Sequence, residues 1–387
     1  MTEPTRPAAA SRPALALHDV SVGHTERPLI EHIDLAVFPG QVTALIGPNG
    51  SGKTTLLKTI AGQLRPLSGS IELCGEDLQA MQVSKTARIM SALFTGRPRT
   101  ELLTTKDIVD AGRYPYTGRL GTLSDDDEQV VREVMEATGT WELRDRDFAH
   151  MSDGQRQRAL IARALCQQPR VLLLDEPTSY LDIRAQIDML QLLRRYTRER
   201  GIAVLASLHE IDLAQKAADR IVCIRDGRAL HQGEPSEIFT APVIADLYDL
   251  DRSSFIDAFG SVELPRPEGR PHVFVVAGGG SGAAGCFREL QQAGIPFSAG
   301  VLHGNDVDGL LAASLAATVI CERNFEPISD GAIERAKQEI RDCGALICCL
   351  ERFGHMNARN GELVAYAHEL GQPVFPSAKA YLDSLDR

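Results

Sequence analysis

The sequence has no uninterrupted apolar run of the roughly 18 residues that a membrane-spanning helix needs. Its longest weakly polar stretch, Gly309 to Cys321, is too short and rich in alanine. Cationic residues are also in deficit: 41 Lys and Arg stand against 52 Asp and Glu, for a formal net charge of -11. That balance argues against a general nucleic-acid binder, which needs a basic face to neutralise phosphates. It argues equally against polybasic docking on an anionic membrane surface. The eight cysteines are scattered, with no C-x-x-C ligand pair among them. Small buried thiols in a reducing compartment are therefore expected. Residues 1–13 are rich in Pro and Ala and lack an apolar signal core, so they read as a disordered lead-in. Any membrane role must then come through a partner.

The 387 residues are enough for two domains with full cores. The stretch Ala14 to Ala36 reads as two short strands, and Val42 to Ile46 as a compact buried one followed by a helix from Thr54 to Leu64. Residues 97–168 read as mainly helical. Val171 to Leu174 is a four-residue apolar run, expected for a strand covered on both faces. A helix at Gln186 to Arg198 and a strand at Ile202 to Ser207 complete an alternation that implies a mostly parallel sheet. Three prolines with glycine and charge mark a linker over 251–271. Beyond it, strands and helices alternate again over 272–387, as in a small doubly wound α/β domain.

Gly47, Pro48, Asn49, Gly50, Ser51, Gly52, Lys53 and Thr54 fit G-x-x-x-x-G-K-[ST] between a strand and a helix. The glycines let the backbone curl so that several N–H groups face one anion, and the helix that follows, through Thr55, adds the positive end of its dipole. Lys53 brings a full charge to the β- and γ-phosphates of ATP, and the Thr54 hydroxyl can ligate Mg²⁺. The apolar strand at Val171 ends in Asp175 and Glu176, and such a strand carries its terminal carboxylates to the nucleotide side of the sheet. Asp175 is placed to hold Mg²⁺, and Glu176 to act as the general base that polarises the attacking water. His209, just past the next strand, could sense the γ-phosphate.

The string Met151-Ser152-Asp153-Gly154-Gln155-Arg156-Gln157-Arg158 resembles the signature motif of ABC ATPases, and Pro177 to Asp182 is similar to their D-loop. The resemblance covers about residues 14–250. It implies a P-loop ABC ATPase domain, with a mixed β core and a helical subdomain near 97–168, followed by a small Rossmann-like α/β accessory domain. It further implies a homodimer sandwiching two ATP molecules, with Ser152, Gly154 and Gln155 of one copy facing the phosphate held by Lys53 of the other and Asp182 linking the two sites. Gly112-Arg113-Tyr114-Pro115-Tyr116 and the stretch His209 to Pro235 are similar to importers of iron chelates, haem and cobalamin. Those pair two ATPases with two transmembrane permease subunits and an extracytoplasmic substrate-binding protein, which puts the chain on the cytoplasmic face of the inner membrane.

Three positions depart from the family pattern. His24 stands where an aromatic usually stacks on adenine. Thr95 stands where a glutamine usually reaches Mg²⁺ and the membrane subunits. Asp153 replaces the first of two signature glycines. In the second domain, Gly278 to Ala283 can be read as G-x-G-x-x-A, a nucleotide turn or simply a tight structural one; no acid is convincingly placed for a ribose, since Asp306 follows a loop. The rival readings are an ATP-binding sensor, or a soluble ABC ATPase regulated by a ligand on the C-terminal domain.

Overall fold

The computed structural model describes residues 12–24, 27–96, 102–118, 121–280 and 282–386. Almost all of the expected lead-in, the first residues of the expected helical subdomain and Ser281 of the glycine turn lie outside these. The chain forms two compact units, 1–239 and 240–387.

The first unit contains two sheets. Leu15–His24 is flanked by Arg27–Val37 and Ser68–Leu73, with Glu76–Asp77 outermost, all antiparallel. The second sheet has the order Arg228–Gly233, Arg220–Arg225, Val42–Ile46, Ala203–Ser207, Val171–Asp175, Met90–Leu93. Its strands are parallel except for the hairpin partner Arg228–Gly233. The three central strands are buried at every residue, which explains their unbroken apolar runs. Leu17, Val20 and Ile33 of the antiparallel sheet share one core with Leu45, Leu173 and Leu205 of the parallel one, and with Leu56 and Ile60 of the helix Lys53–Ile60.

The helices Thr105–Asp110, Asp125–Ala137 and Asp153–Cys166 lie between Met90–Leu93 and Val171–Asp175 in the chain. Each starts with a capping box, on Thr104, Ser124 and Ser152. A buried ion pair joins them: Arg113 Nε donates to Asp127 at 2.8 Å, and Arg113 Nη1 donates to the carbonyl of Cys166 at 2.7 Å. Arg113 also lies over the ring of Tyr116 at 4.0 Å, and the Tyr116 hydroxyl donates to the carbonyl of Gln167. Much of the Gly-Arg-Tyr-Pro-Tyr string thus has a packing role.

The second unit carries a five-stranded parallel sheet in the order Thr318–Glu322, Phe297–His303, Val273–Val276, Ala345–Cys348, Val374–Phe375. This is the doubly wound arrangement expected from the sequence. The last strand and the helix Ala378–Leu385 go beyond that expectation; the strand has only two residues and carries no periodicity.

The boundary between the units falls earlier than 250, because Ala241–Tyr248 is held by the second unit; the Ala241 amide donates to Asp257 at 2.6 Å. The expected linker is also partly folded. Phe255–Ile256 pairs with Ser261–Val262, and Ile256 enters the core of the second unit. Proline and charge suggested a spacer, but Phe255 and Ile256 are both buried, and Ile256 has a core to enter.

Candidate functional site

The phosphate loop has the curl that its glycines were expected to allow. Gly47, Gly50 and Gly52 have φ of 149°, 79° and 99°. A Cβ on Gly47 would lie 2.0 Å from the carbonyl oxygen of Ile224, so no larger residue fits there. Lys53 is buried, and its Nζ donates to the carbonyls of Gly47 at 2.8 Å and Pro48 at 2.9 Å. The loop therefore closes around its own ammonium. Burial pushes the Lys53 pKa down, against the opposing pull of Glu176 and Asp175.

Asp175 is 1% exposed and collects three hydroxyls. Thr54 donates to its two oxygens at 3.0 and 3.1 Å, Thr95 to one at 3.0 Å and Ser207 to the other at 2.9 Å. This all-oxygen cluster of a carboxylate and hydroxyls is the donor chemistry that Mg²⁺ takes. Thr95 reaches the cluster because it lies two residues past the strand Met90–Leu93, which pairs with Val171–Asp175.

Glu176 follows with a left-handed φ of 49°. Its amide donates to Ser207 Oγ at 2.9 Å, and its carboxylate accepts from Ser179 Oγ at 2.9 Å and from the His209 ring. Burial pushes this carboxyl up, but the hydrogen bonds from His209 and Ser179, with the charges of His209 and Lys53, outweigh it and hold the pKa below the usual range. A base that stays ionised, held at the end of a strand beside a phosphate loop, can orient and polarise a water.

Thr54, Thr95, Asp175, Glu176 and His209 are thus linked through contacts at the carboxyl ends of adjacent strands, and Lys53, beside Thr54, lies close enough to feel the charge of both acids. His24 reaches Thr55, Nε2 to Oγ1 at 3.4 Å. The other expected residues lie in separate groups. Ser152 accepts from the Gln155 amide, and Gln155 accepts from the Ser152 amide, both within the first turn of Asp153–Cys166. Gly154 lies in that turn, and Asp182 caps Ile183–Arg200 by accepting from Ala185 at 2.8 Å. The negative charge of Asp153 is met by Arg156 at 2.5 Å.

Two members of the cluster, Ser207 and Ser179, escaped the sequence reading. Ser207 is the polar last residue of an apolar strand and pairs in register with Asp175. That terminal polarity was the available signal. Ser179 had none beyond its place three residues after Glu176.

Residues 30–179 match the ABC transporter family, and residues 297–383 match the MJ0874 family. The chain is 37% identical over 270 residues to an ABC transporter ATP-binding protein of Methanocaldococcus jannaschii, covering 70% of this chain and 93% of that one. It is 36% identical over 251 residues to the ferric enterobactin transport ATP-binding protein of Escherichia coli, covering 65% of this chain and 93% of that one. It is 34% identical over 297 residues to the cobalamin import ATP-binding protein of Halobacterium salinarum, covering 75% and 73%. Among solved structures, CbiO1 of Clostridium perfringens, part of an ABC transporter complex, is 27% identical with a TM-score of 0.54, covering 61% of this chain and 94% of that one. The chain therefore belongs to the ABC transporter ATP-binding proteins, a family of ATPases.

Proposed function

We propose that the chain hydrolyses MgATP to drive uptake of an iron chelate, haem or a cobalamin-type molecule through partner membrane subunits. The observation that carries the catalytic part is the pair Asp175 and Glu176. Three hydroxyls surround the first, and the second is held ionised by Ser179 and His209.

In this reading the Lys53 ammonium and the loop amides bind the triphosphate. Thr54, Asp175 and Thr95 would hold Mg²⁺, which would neutralise charge on the phosphate oxygens. Glu176 takes the proton of the attacking water, and His209 orients Glu176 and senses the γ-phosphate. His24 offers its ring to adenine. A second copy completes each site with Ser152, Gly154 and Gln155, and Asp182 couples the two sites.

The relative of cobalamin import supports the transport direction, and together with the relative of ferric enterobactin transport it supports the cargo class. A cleft of about 760 Å³, lined by Leu78, Met81, Val83, Met90 and Gln167, supports a docked membrane subunit; Val83 at its rim is 85% exposed. Among the described residues no helix is long and apolar enough to cross a membrane. The chain would act at the cytoplasmic face through its permease partners, with the substrate-binding protein outside.

The test is reconstitution with candidate permease subunits of the iron-chelate and cobalamin importer type from the same genome. Cargo uptake that requires ATP and stops in Glu176→Gln is the expected result. Hydrolysis with no permease association would leave an ATPase and remove the importer.

A further inference from the structure

The second unit holds a crevice that ATP hydrolysis does not use. Its sheet reverses strand order beside Val273–Val276: the chain leaves that strand towards Phe297–His303, whereas it leaves Ala345–Cys348 towards Val374–Phe375. Diverging loops at such a point leave a cleft beyond the carboxyl ends of the strands, where open α/β sheets take ligands. Here the cleft has a volume of about 720 Å³ and is walled by Gly279, Asp306, Phe325, Arg352 and Asn357. That volume suits a small organic molecule.

The glycine turn at its floor is already filled. Gly278, Gly279 and Gly280 have φ of 127°, 71° and 66°. The Gly279 amide donates to Asp306 Oδ2, and the Gly280 amide donates to Oδ1 at 3.1 Å. The carboxylate therefore occupies the amides that a pyrophosphate would use, and its charge repels one. A phosphate-binding role for this turn is thus excluded by the chain's own acid.

Asp306 has a second consequence. It follows the second strand of the sheet in chain order, the region from which dinucleotide folds offer an acid to ribose hydroxyls. Sequence spacing made that placement unconvincing, because a loop separates Asp306 from the strand. The loop folds back and returns the acid to the turn. The two amides and the Asp308 amide, at 3.3 Å from Oδ1, fix its orientation. With three of its roughly four acceptor sites filled, the carboxylate keeps one, on Oδ2, for a single hydroxyl. Asn357 Oδ1 accepts from the Gly354 amide at 2.6 Å, which leaves its Nδ2 as a donor to the cleft. Phe325 lies on the wall, 82% exposed, a large aromatic face left to water. Such a face stacks on a nucleobase.

We propose that the crevice of the second unit binds a ribonucleoside, with its 2′-hydroxyl on Asp306, its base against Phe325 and no phosphate on the glycine turn.

The test uses the full chain with its ATPase site filled by a non-hydrolysable ATP analogue and Mg²⁺. Adenosine, guanosine, cytidine and uridine are titrated singly by calorimetry, each beside its 2′-deoxy counterpart. At least one ribonucleoside is expected to bind at one site per chain. The deoxy form and Asp306→Asn should each weaken it about tenfold or more, because each removes a hydrogen bond made to a charged group. ATP hydrolysis by Asp306→Asn should be unchanged. If Asp306→Asn loosens the turn and fails to fold, Phe325→Ala, at an exposed position, should lower the affinity instead. The proposal is overturned if no ribonucleoside binds up to about 1 mM. It is overturned equally if ribo and deoxy forms bind alike, if neither variant weakens binding, or if inorganic pyrophosphate competes.

Discussion

The hydroxyl of Ser207 donates to Asp175 Oδ1 at 2.9 Å, across two strands that place these residues side by side. The same oxygen accepts the Glu176 amide at 2.9 Å. One buried hydroxyl thus fixes both acids of the site. In Ser207→Ala, Asp175 loses a donor and the Glu176 amide its acceptor. A cost of about 1–3 kcal/mol is expected from the orphaned amide. Urea unfolding of the wild type and of Ser207→Ala measures it; a loss below about 0.5 kcal/mol would show that water replaces the hydroxyl.

Glu176→Gln keeps the shape of the side chain and removes its basicity. MgATP binding should persist while turnover falls by roughly 10²- to 10⁴-fold. Single-turnover hydrolysis together with nucleotide retention on dialysis checks both. An unchanged rate removes Glu176 from the role of base.

The pH profile has a definite sign. The Glu176 pKa is depressed in the fold, after the hydrogen bonds from His209 and Ser179 outweigh burial. Its charged form, and the stability it contributes, are therefore fully present above the unfolded value and are lost as pH falls through the lowered folded value. Ser179→Ala removes one of the lowering bonds. The acid limb of kcat against pH should move to higher pH, with little change at neutrality. A limb that stays in place would mean that another group limits turnover in acid.

Arg113 and Asp127 form a buried ion pair in the helical part of the first unit, supported by the Cys166 carbonyl. Removing one partner strands the other charge. Arg113→Ala should cost about 3–5 kcal/mol, and the double replacement Arg113→Met with Asp127→Asn, which keeps an acceptor for the Ser124 cap, distinctly less. Thermal melts of the single and double variants compare the two. Equal losses would mean that lost packing, not the stranded charge, dominates.

Gly47→Ala places a methyl where the Ile224 carbonyl stands 2.0 Å away. The loop must shift, and its amides then miss the phosphates. Nucleotide affinity should fall at least about tenfold, as fluorescent ATP analogue binding would report. Gly50 has nothing within 4 Å of its Cβ position, so Gly50→Asn, a residue that tolerates the left-handed region, should be milder.

The sequence by itself determined where the polar residues of the first unit gather. Lys53, Thr54, Asp175 and Glu176 were legible because apolar strands and a glycine loop leave one place for polar residues, the carboxyl edge of a parallel sheet. The alternation of strands and helices in both units, doubly wound in the second, was legible because buried strands and amphipathic helices have different periods. Tertiary structure alone decided the contacts between distant segments. It put Ser207 between Asp175 and Glu176, brought Thr95 to the acid, and matched Asp153 with Arg156. It moved the unit boundary ahead of 250 by tying Ala241 to Asp257, and folded part of the expected linker by giving Ile256 a core to enter. It also turned Asp306 back onto the glycine turn and so changed what that turn can bind. The reason is common to all of these: a pattern along the chain reports which face a residue takes, whereas a hydrogen-bond partner depends on strand order and loop path, which no local period records.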